Sequence, residues 1–157
     1  MRRQLRNLRS ARFHRRRGIA AVECALTIPL LTLLVLGAID VGQFANVYQK
    51  VSDASREGAR VAARNGTGSA SQVQEAVMNY LAETSPDSSS AALVAATTVS
   101  LSDAAGSPIS GSTLSAVSTG SPVMVRVTVN FDSVRWIGHL PGLNGSQITA
   151  TTTMRRE

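Results

Sequence analysis

Arg15-Arg16-Arg17-Gly18-Ile19-Ala20-Ala21-Val22-Glu23 ends a basic leader and opens an apolar run that continues to Ile39. From Ile19 to Ile39 there are 21 residues, and Glu23 is the only charge among them. At about 1.5 Å of rise per residue, a helix over this run is about 31 Å long, which matches a bilayer core of roughly 30 Å. The run therefore reads as a transmembrane helix over 19–39. An acid inside such a helix costs about 2.5 to 3.5 kcal/mol on insertion scales and marks function, which makes Glu23 the first candidate site residue. A cleaved secretory signal has a shorter apolar region, of about 7 to 15 residues, followed by a small-x-small site. Here Gly37-Ala38-Ile39 followed by Asp40 is a poor site of that kind. Pro29 removes one helix hydrogen bond and reads as a tolerated membrane proline that loosens the turn before it.

Charge is divided unevenly along the chain. The 157 residues carry 16 basic and 10 acidic side chains, a net +6. Residues 1–18 hold Arg2, Arg3, Arg6, Arg9, Arg12, Arg15, Arg16 and Arg17 and no acid, so the rest of the chain has 16 minus 8 basic residues against all 10 acids, or −2. A nucleic-acid partner would need basic and aromatic residues on a folded face, and a short arginine arm beside an apolar run is not one. The positive-inside rule gives the arm a simpler role: the leader stays in the cytoplasm and the C-terminal part lies outside the membrane.

Beyond the run, Phe44, Val47, Val51, Ala54, Gly58 and Val61 recur at spacings of three and four, with Ser52, Asp53, Arg56, Glu57 and Arg60 between them. This predicts an amphipathic continuation over 40–64 with a narrow apolar seam, to be covered by a soluble domain or another subunit. Asn65-Gly66 supplies the residues that a helix C-terminus prefers, after Arg60 and Arg64 in the last turns. Unbroken, Ile19 to Arg64 would be about 69 Å long.

A glycine after a charged leader, a glutamate five positions on and a membrane-length apolar run resemble the processing site of type IV prepilins. With Asp40-Val41-Gly42-Gln43-Phe44 and Ala54-Ser55-Arg56-Glu57-Gly58-Ala59-Arg60, the chain resembles the TadE-like family, the minor pseudopilins of tight-adherence (Tad) pili. That family reads A-A-V-E-F-A-L after its processing site, then an apolar run with a proline, then A-x-R-E-G-A-R. Ala20-Ala21-Val22-Glu23 matches, and Cys24 stands where the family has an aromatic residue. The resemblance implies a bacterial inner-membrane, single-pass minor pseudopilin, cleaved by a prepilin peptidase between Gly18 and Ile19. It further implies that the chain joins or primes a pilus and works in adhesion, with Glu23 pairing subunits during assembly. Its partners would be the prepilin peptidase, other pilins or pseudopilins, and membrane lipid. An uncleaved membrane-anchored envelope binding or accessory protein is the other class of reading, and it needs neither Gly18 nor Glu23.

Residues 65–157 read as a small extracytoplasmic α+β domain. Ser71-Gln72-Val73-Gln74 fits a capping box, and Val73, Ala76, Val77, Tyr80 and Leu81 follow at helical spacing, which predicts a short helix over 72–83. Asp87 to Ser90 reads as a turn or mobile loop, Ala92 to Leu101 as a strand with a helix possible, and Ser102 to Pro122 as a long loop or one containing a weak hairpin. Val123, Val125, Val127, Val129 and Phe131 alternate with other residues, the period-two pattern of a half-buried strand whose valine face packs on the long helix. Trp136 to Leu143 reads as an apolar loop. Gln147 to Arg155 alternates Ile148, Ala150, Thr152 and Met154 as a last strand. The fold class is therefore α+β and pilin-like: a long N-terminal helix, half transmembrane and half amphipathic, packed against a short helix and a small antiparallel sheet.

Catalysis finds little support. His14 lies in the leader, and His139 has no Cys, His or paired acid near it in sequence, whereas metal ligation needs a cluster. There is no G-x-S-x-G, and Gly66-Thr67-Gly68 lacks the continuation of a phosphate loop. Cys24 is the only cysteine and reads as a small apolar residue in lipid. The sequence thus points away from an enzyme and calls for no cofactor and no metal.

Overall fold

The computed structural model describes residues 2–85, 87–135 and 145–157, with their side chains except at 2–18, 87–89, 112 and 113. The chain divides into two compact units, Met1–Val41 and Gly42–Glu157. Helix α1 spans Arg2–Ala63, so it begins within the leader rather than at Ile19. The arginines, Leu5, Leu8 and Ala11 there are good helix formers, and the leader holds no proline to stop them. At the other end Gly66 takes φ 107°, a left-handed conformation that costs glycine little. Thr67 Oγ1 donates to the Val61 carbonyl at 2.7 Å, satisfying one of the carbonyls that a helix end leaves open.

Within the second unit, α1 buries Val47, Val51, Ala54, Ser55, Ala59, Ala62 and Ala63. The seam predicted through Phe44, Gly58 and Val61 is displaced at both ends, since Phe44 is 39 % exposed and Val61 only partly buried. The physical reason is the mismatch between a 3.5-residue repeat and a helix of 3.6 residues per turn. Three turns advance about 11 residues, so Ala62 rather than Val61 lies in line with Val51, and both are fully buried.

Helix α2 spans Ala70–Glu83, starting two residues before the predicted helix. Its capping residue is Ser69 and its third helical residue is Gln72. Gln72 Oε1 accepts from the Gly68 and Ser69 amides at 3.1 and 3.4 Å. Ser71 and Gln74 have the same spacing but do not form the cap; Gln74 Nε2 instead donates to the Val99 carbonyl at 3.4 Å. The earlier start places Ala70, Val73, Val77 and Leu81 together on the buried face.

Asp87–Ala95 is helix α3, which corrects the turn expected at 87–90 and shortens the strand expected from Ala92. The alanine-rich run continues as helix until the β-branched pair Thr97-Thr98, where the strand begins. Thr97 Oγ1 donates back to the Leu93 carbonyl at 2.6 Å, tying the two elements.

The sheet contains β1 (Thr97–Ser102), β2 (Pro108–Ile109), β3 (Pro122–Asn130) and β4 (Gln147–Arg155), in the antiparallel order β2-β1-β3-β4. The short β1–β2 hairpin is the weak hairpin allowed for in the serine-rich stretch. Asp103 Oδ1 closes its turn by accepting from the Ala105 and Ser107 amides at 2.9 and 2.8 Å. A 3-10 helix over Gly111–Ala116 then drops Leu114 into the core. On β3, Val123, Val125, Val127 and Val129 all face inward, as their alternation predicts, while Phe131 has left the strand for a 3-10 turn over Phe131–Ser133. Fully burying each valine is worth about 1.5 to 3 kcal/mol, so this face is a main source of cohesion. The predicted loop Trp136 to Leu143, with His139, lies outside the described residues.

The C-terminus closes the structure onto α1. The Glu157 amide donates to the Ala63 carbonyl at 2.8 Å, and buried Arg156 places Nη2 3.0 Å from the Thr67 carbonyl. A hydrogen bond from a charged donor is worth about 1.5 to 3 kcal/mol, and a cation at a helix C-terminus is favoured by the helix dipole. Arg156→Met is therefore expected to lower unfolding stability by about 2 kcal/mol. Chemical denaturation in micelles measures it, and an unchanged midpoint would remove Arg156 from the closing contacts.

Candidate functional site

The candidate site at Gly18, Ile19 and Glu23 falls inside α1. Ile19 is 64 % exposed, and Val22, Glu23 and Cys24 are exposed as well. The Thr27 hydroxyl donates to the backbone carbonyl of Glu23 at 2.7 Å, and Thr32 repeats this on Ile28 at 2.9 Å. Such bonds occupy the hydroxyls of threonines that would otherwise lie unsatisfied in lipid. The Glu23 carboxylate has no partner among the described residues and is open to a group from outside the chain.

From Ile19 onward this is the one helix among the described residues long and apolar enough to cross a membrane, and none of its apolar window is buried. Leu26 is 72 % exposed, and Ile28, Leu30, Leu33 and Leu34 lie between 60 and 66 %. A continuous surface of this kind is covered by lipid or by other helices. Asp40, which the sequence offers as the charged boundary of the run, is buried and has an interaction partner.

Ala54-Ser55-Arg56-Glu57-Gly58-Ala59-Arg60 has two faces with separate roles. A Cβ built on Gly58 would lie 2.6 Å from Val77 Cγ2, 3.2 Å from Val125 Cγ1 and 3.6 Å from Val73 Cγ1. Gly58 is thus the point at which α1 admits α2 and β3, with Ala54 and Ala59 buried beside it. Ser55 Oγ shares a 2.7 Å hydrogen bond with Thr152 Oγ1 on β4. The charges lie on the other face as pairs three residues apart, Asp53 with Arg56 at 3.1 Å and Glu57 with Arg60. Arg60 Nε donates to Glu57 Oε2 at 2.7 Å. That hydrogen bond, more than the Arg60 and Arg64 charges, holds the Glu57 carboxyl below its usual range against an opposing contribution from burial.

A depressed folded-state pKa stabilises the fold above the unfolded value of about 4.5, and the contribution disappears as pH falls through the lower folded value. Glu57→Gln should therefore make the melting temperature fall less steeply below about pH 4.5 than in the parent chain. Identical acid slopes for the two chains would refute the pairing. The pair is largely exposed, so the effect is small.

One cluster was not visible in the sequence. At the start of the second unit, Gln43 Nε2 donates to the Val134 carbonyl at 2.7 Å. Phe44 meets Phe131 edge to face, with centroids 5.2 Å apart and planes at 82°. The Arg135 guanidinium carbon lies 5.4 Å from the Phe131 ring centroid. Pairs of these kinds add about 0.5 to 1.5 kcal/mol beyond burial. The available signal was scarcity: the chain has three phenylalanines, and two of them meet here. The cluster clamps the 3-10 turn after β3 to α1.

None of these groups forms a catalytic arrangement. Among the described residues there is no cluster of three or more His, Cys, Asp or Glu side chains able to hold a metal ion. A shallow cleft lined by Arg60, Arg64, Met154, Arg155 and Glu157 lies over the end of α1, with no nucleophile beside it.

Comparison with curated proteins and with solved structures gave no match. Comparison with protein-family models gave a match over residues 18–60 to the family described as TadE-like protein. The matched stretch starts at the glycine before the apolar run and ends at Arg60, the last residue of the two-faced segment. Over residues 18–60, then, the chain is similar to the TadE-like family, and that segment holds the exposed apolar helix together with the part of α1 on which α2 and β3 pack.

Proposed function

We propose that the protein is a minor pseudopilin, a structural or assembly component of a Tad-type pilus. It is held in the bacterial inner membrane by residues 19–39, with the leader 1–18 in the cytoplasm and residues 65–157 outside. A prepilin peptidase cleaves between Gly18 and Ile19, and Glu23 pairs with another pilin or pseudopilin when the subunit is drawn into or primes the fibre. The observation that carries this reading is that the TadE-like match covers a helix whose entire apolar window is exposed, so the chain leaves for lipid or other subunits the surface that a pilus component uses. The eight leader arginines support the orientation. Glycine at position 18 supports the cleavage, because the absence of a Cβ lets a peptidase approach the backbone closely.

Mass spectrometry of the N-terminus tests the proposal. In cells with an active prepilin peptidase the mature chain is expected to begin at Ile19, and Gly18→Phe is expected to leave the leader attached. Recovery of the parent chain intact from Met1 under those conditions would favour an uncleaved anchored accessory protein.

A further inference from the structure

Strand β4 is an edge strand with nine residues. The Phe131 amide donates to the Ser146 carbonyl and the Arg156 amide to the Ser121 carbonyl, each at 3.0 Å. Together with the register, these two bonds place the β3–β4 ladder on the even-numbered residues of β4. Gln147, Thr149, Thr151, Thr153 and Arg155 therefore turn their N–H and C=O groups away from β3, and their side chains are exposed. Among the described residues no hydrogen bond reaches those outward backbone groups. Proteins blunt such edges with proline, lysine, bulges or very short strands. At the opposite edge β2 has two residues and contains Pro108, whereas β4 is regular and uncharged from Gln147 to Met154.

The direction of β4 restricts what can join it. Its start lies by Phe131, which meets Phe44 edge to face; Thr152 bonds Ser55; and Glu157 bonds Ala63. It therefore runs in the same sense as residues 44–63 of α1. A two-fold symmetric pair of β4 strands would be antiparallel and would set the two α1 segments in opposite directions. The strand has no carboxylate from Gln147 to Arg155, so a second copy laid edge to edge would bring arginines together without an acid to meet them, and a second copy is not the occupant. Parallel pairing staggers its bonds and does not close on a two-fold axis. Charge indicates the partner. Arg126, opposite Thr151 across the ladder, and Arg155 are exposed, and neither has an ion pair among the described residues.

We infer that the outer edge of β4 takes up an extended strand of a different envelope chain. That strand runs antiparallel to β4, with β-branched residues along it and carboxylates facing Arg155 and the Arg126–Thr151 row. The inference deepens the proposed function by naming a partner class, and it rests on that reading only in placing the partner in the envelope. Main-chain bonds supply the affinity, and the two arginines select the acidic strand.

The test uses the full chain in micelles and a synthetic peptide, Glu-Val-Thr-Val-Glu-Val-Thr-Val-Thr, with a control in which lysine replaces both glutamates. The acidic peptide is expected to slow hydrogen exchange at Thr149, Thr151 and Thr153 by about tenfold, and the lysine peptide is expected to have little effect. Thr151→Pro removes one outward N–H and leaves the β3 ladder intact, so it should keep the fold and lose the protection. Outward amides already protected in the free chain, equal protection by both peptides, no protection by either, or full protection of a folded Thr151→Pro chain would each overturn the inference. Cleavage and anchoring are read separately, from chain mass and membrane fraction. Failure of the peptide with a correctly processed chain therefore counts against the β4 edge alone.

Discussion

Gly58→Leu is expected to destabilise the second unit more than any other single change on α1. Even the first added atom, a Cβ, would lie 2.6 Å from Val77 Cγ2, well inside van der Waals contact. Val77 cannot swing away, because a β-branched side chain on a helix has essentially one χ1 state. Val125 Cγ1 on β3 crowds the same Cβ at 3.2 Å, so relief requires α2 to move away from α1. Overpacking a core costs about 1 to 3 kcal/mol, out of about 5 to 15 kcal/mol for a whole domain, and leucine lies at the upper end or beyond. Alanine is the informative comparison. It regains up to about 1 kcal/mol of helix propensity and adds only the Cβ, so its net loss should be about 1 kcal/mol. Thermal melts followed by circular dichroism should show Gly58→Leu about 10 °C or more below the parent chain, with Gly58→Ala between them. A leucine variant that melts with the parent would show that α1, α2 and β3 do not meet at this point.

The second large effect is on assembly rather than stability. Under the proposed function, Glu23→Gln leaves membrane insertion nearly unchanged and lowers pilus output by about tenfold or more, which corresponds to about 1.4 kcal/mol of lost pairing. Cleavage before Ile19 would create a positive α-amino group on a helix that then enters a low-dielectric bundle. An acid from an adjoining subunit at about 4 Å attracts such a group by roughly 4 kcal/mol at an effective dielectric near 20, against about 1 kcal/mol in bulk water. Much of that attraction offsets desolvation, so the pair acts mainly on the register of subunits. The structure leaves the Glu23 carboxylate exposed, with the neighbouring Thr27 hydroxyl engaged on the backbone instead. Counting pili on cells that make equal amounts of membrane-inserted parent and variant separates assembly from insertion. Normal pilus numbers with Glu23→Gln would reduce Glu23 to an interfacial charge.

Features that depend on neighbours along the chain were legible from residues alone. The apolar run, the leader charges, the valine alternation of β3 and the limits of β4 come from periods of two or 3.6 and from charge placement, all of which are local. The α+β class followed from them, while the resemblance rested on motifs such as Ala20-Ala21-Val22-Glu23 and Ala54–Arg60, within the stretch that the family match covers. Where two local patterns competed, tertiary contacts decided. Ser69…Gln72 and Ser71…Gln74 offer the same cap, and the first is used because it buries Ala70 with Val73, Val77 and Leu81. Ala92 to Ala95 could join a helix or a strand, and it completes α3, which packs on α2.

The heptad-like seam on α1 drifted to Ala62 because a helix does not repeat every 3.5 residues. Contacts between distant positions had no local signature. Phe44 with Phe131, Arg156 with Thr67 and the valines around Gly58 are joined only once the chain has closed. The sequence by itself therefore determined the long helix with its apolar run, the helix after Ser69 and the strands β3 and β4, but not α3. The three-dimensional packing decided why Gly58 is a glycine, which strand edge stays open and how the C-terminus seals α1.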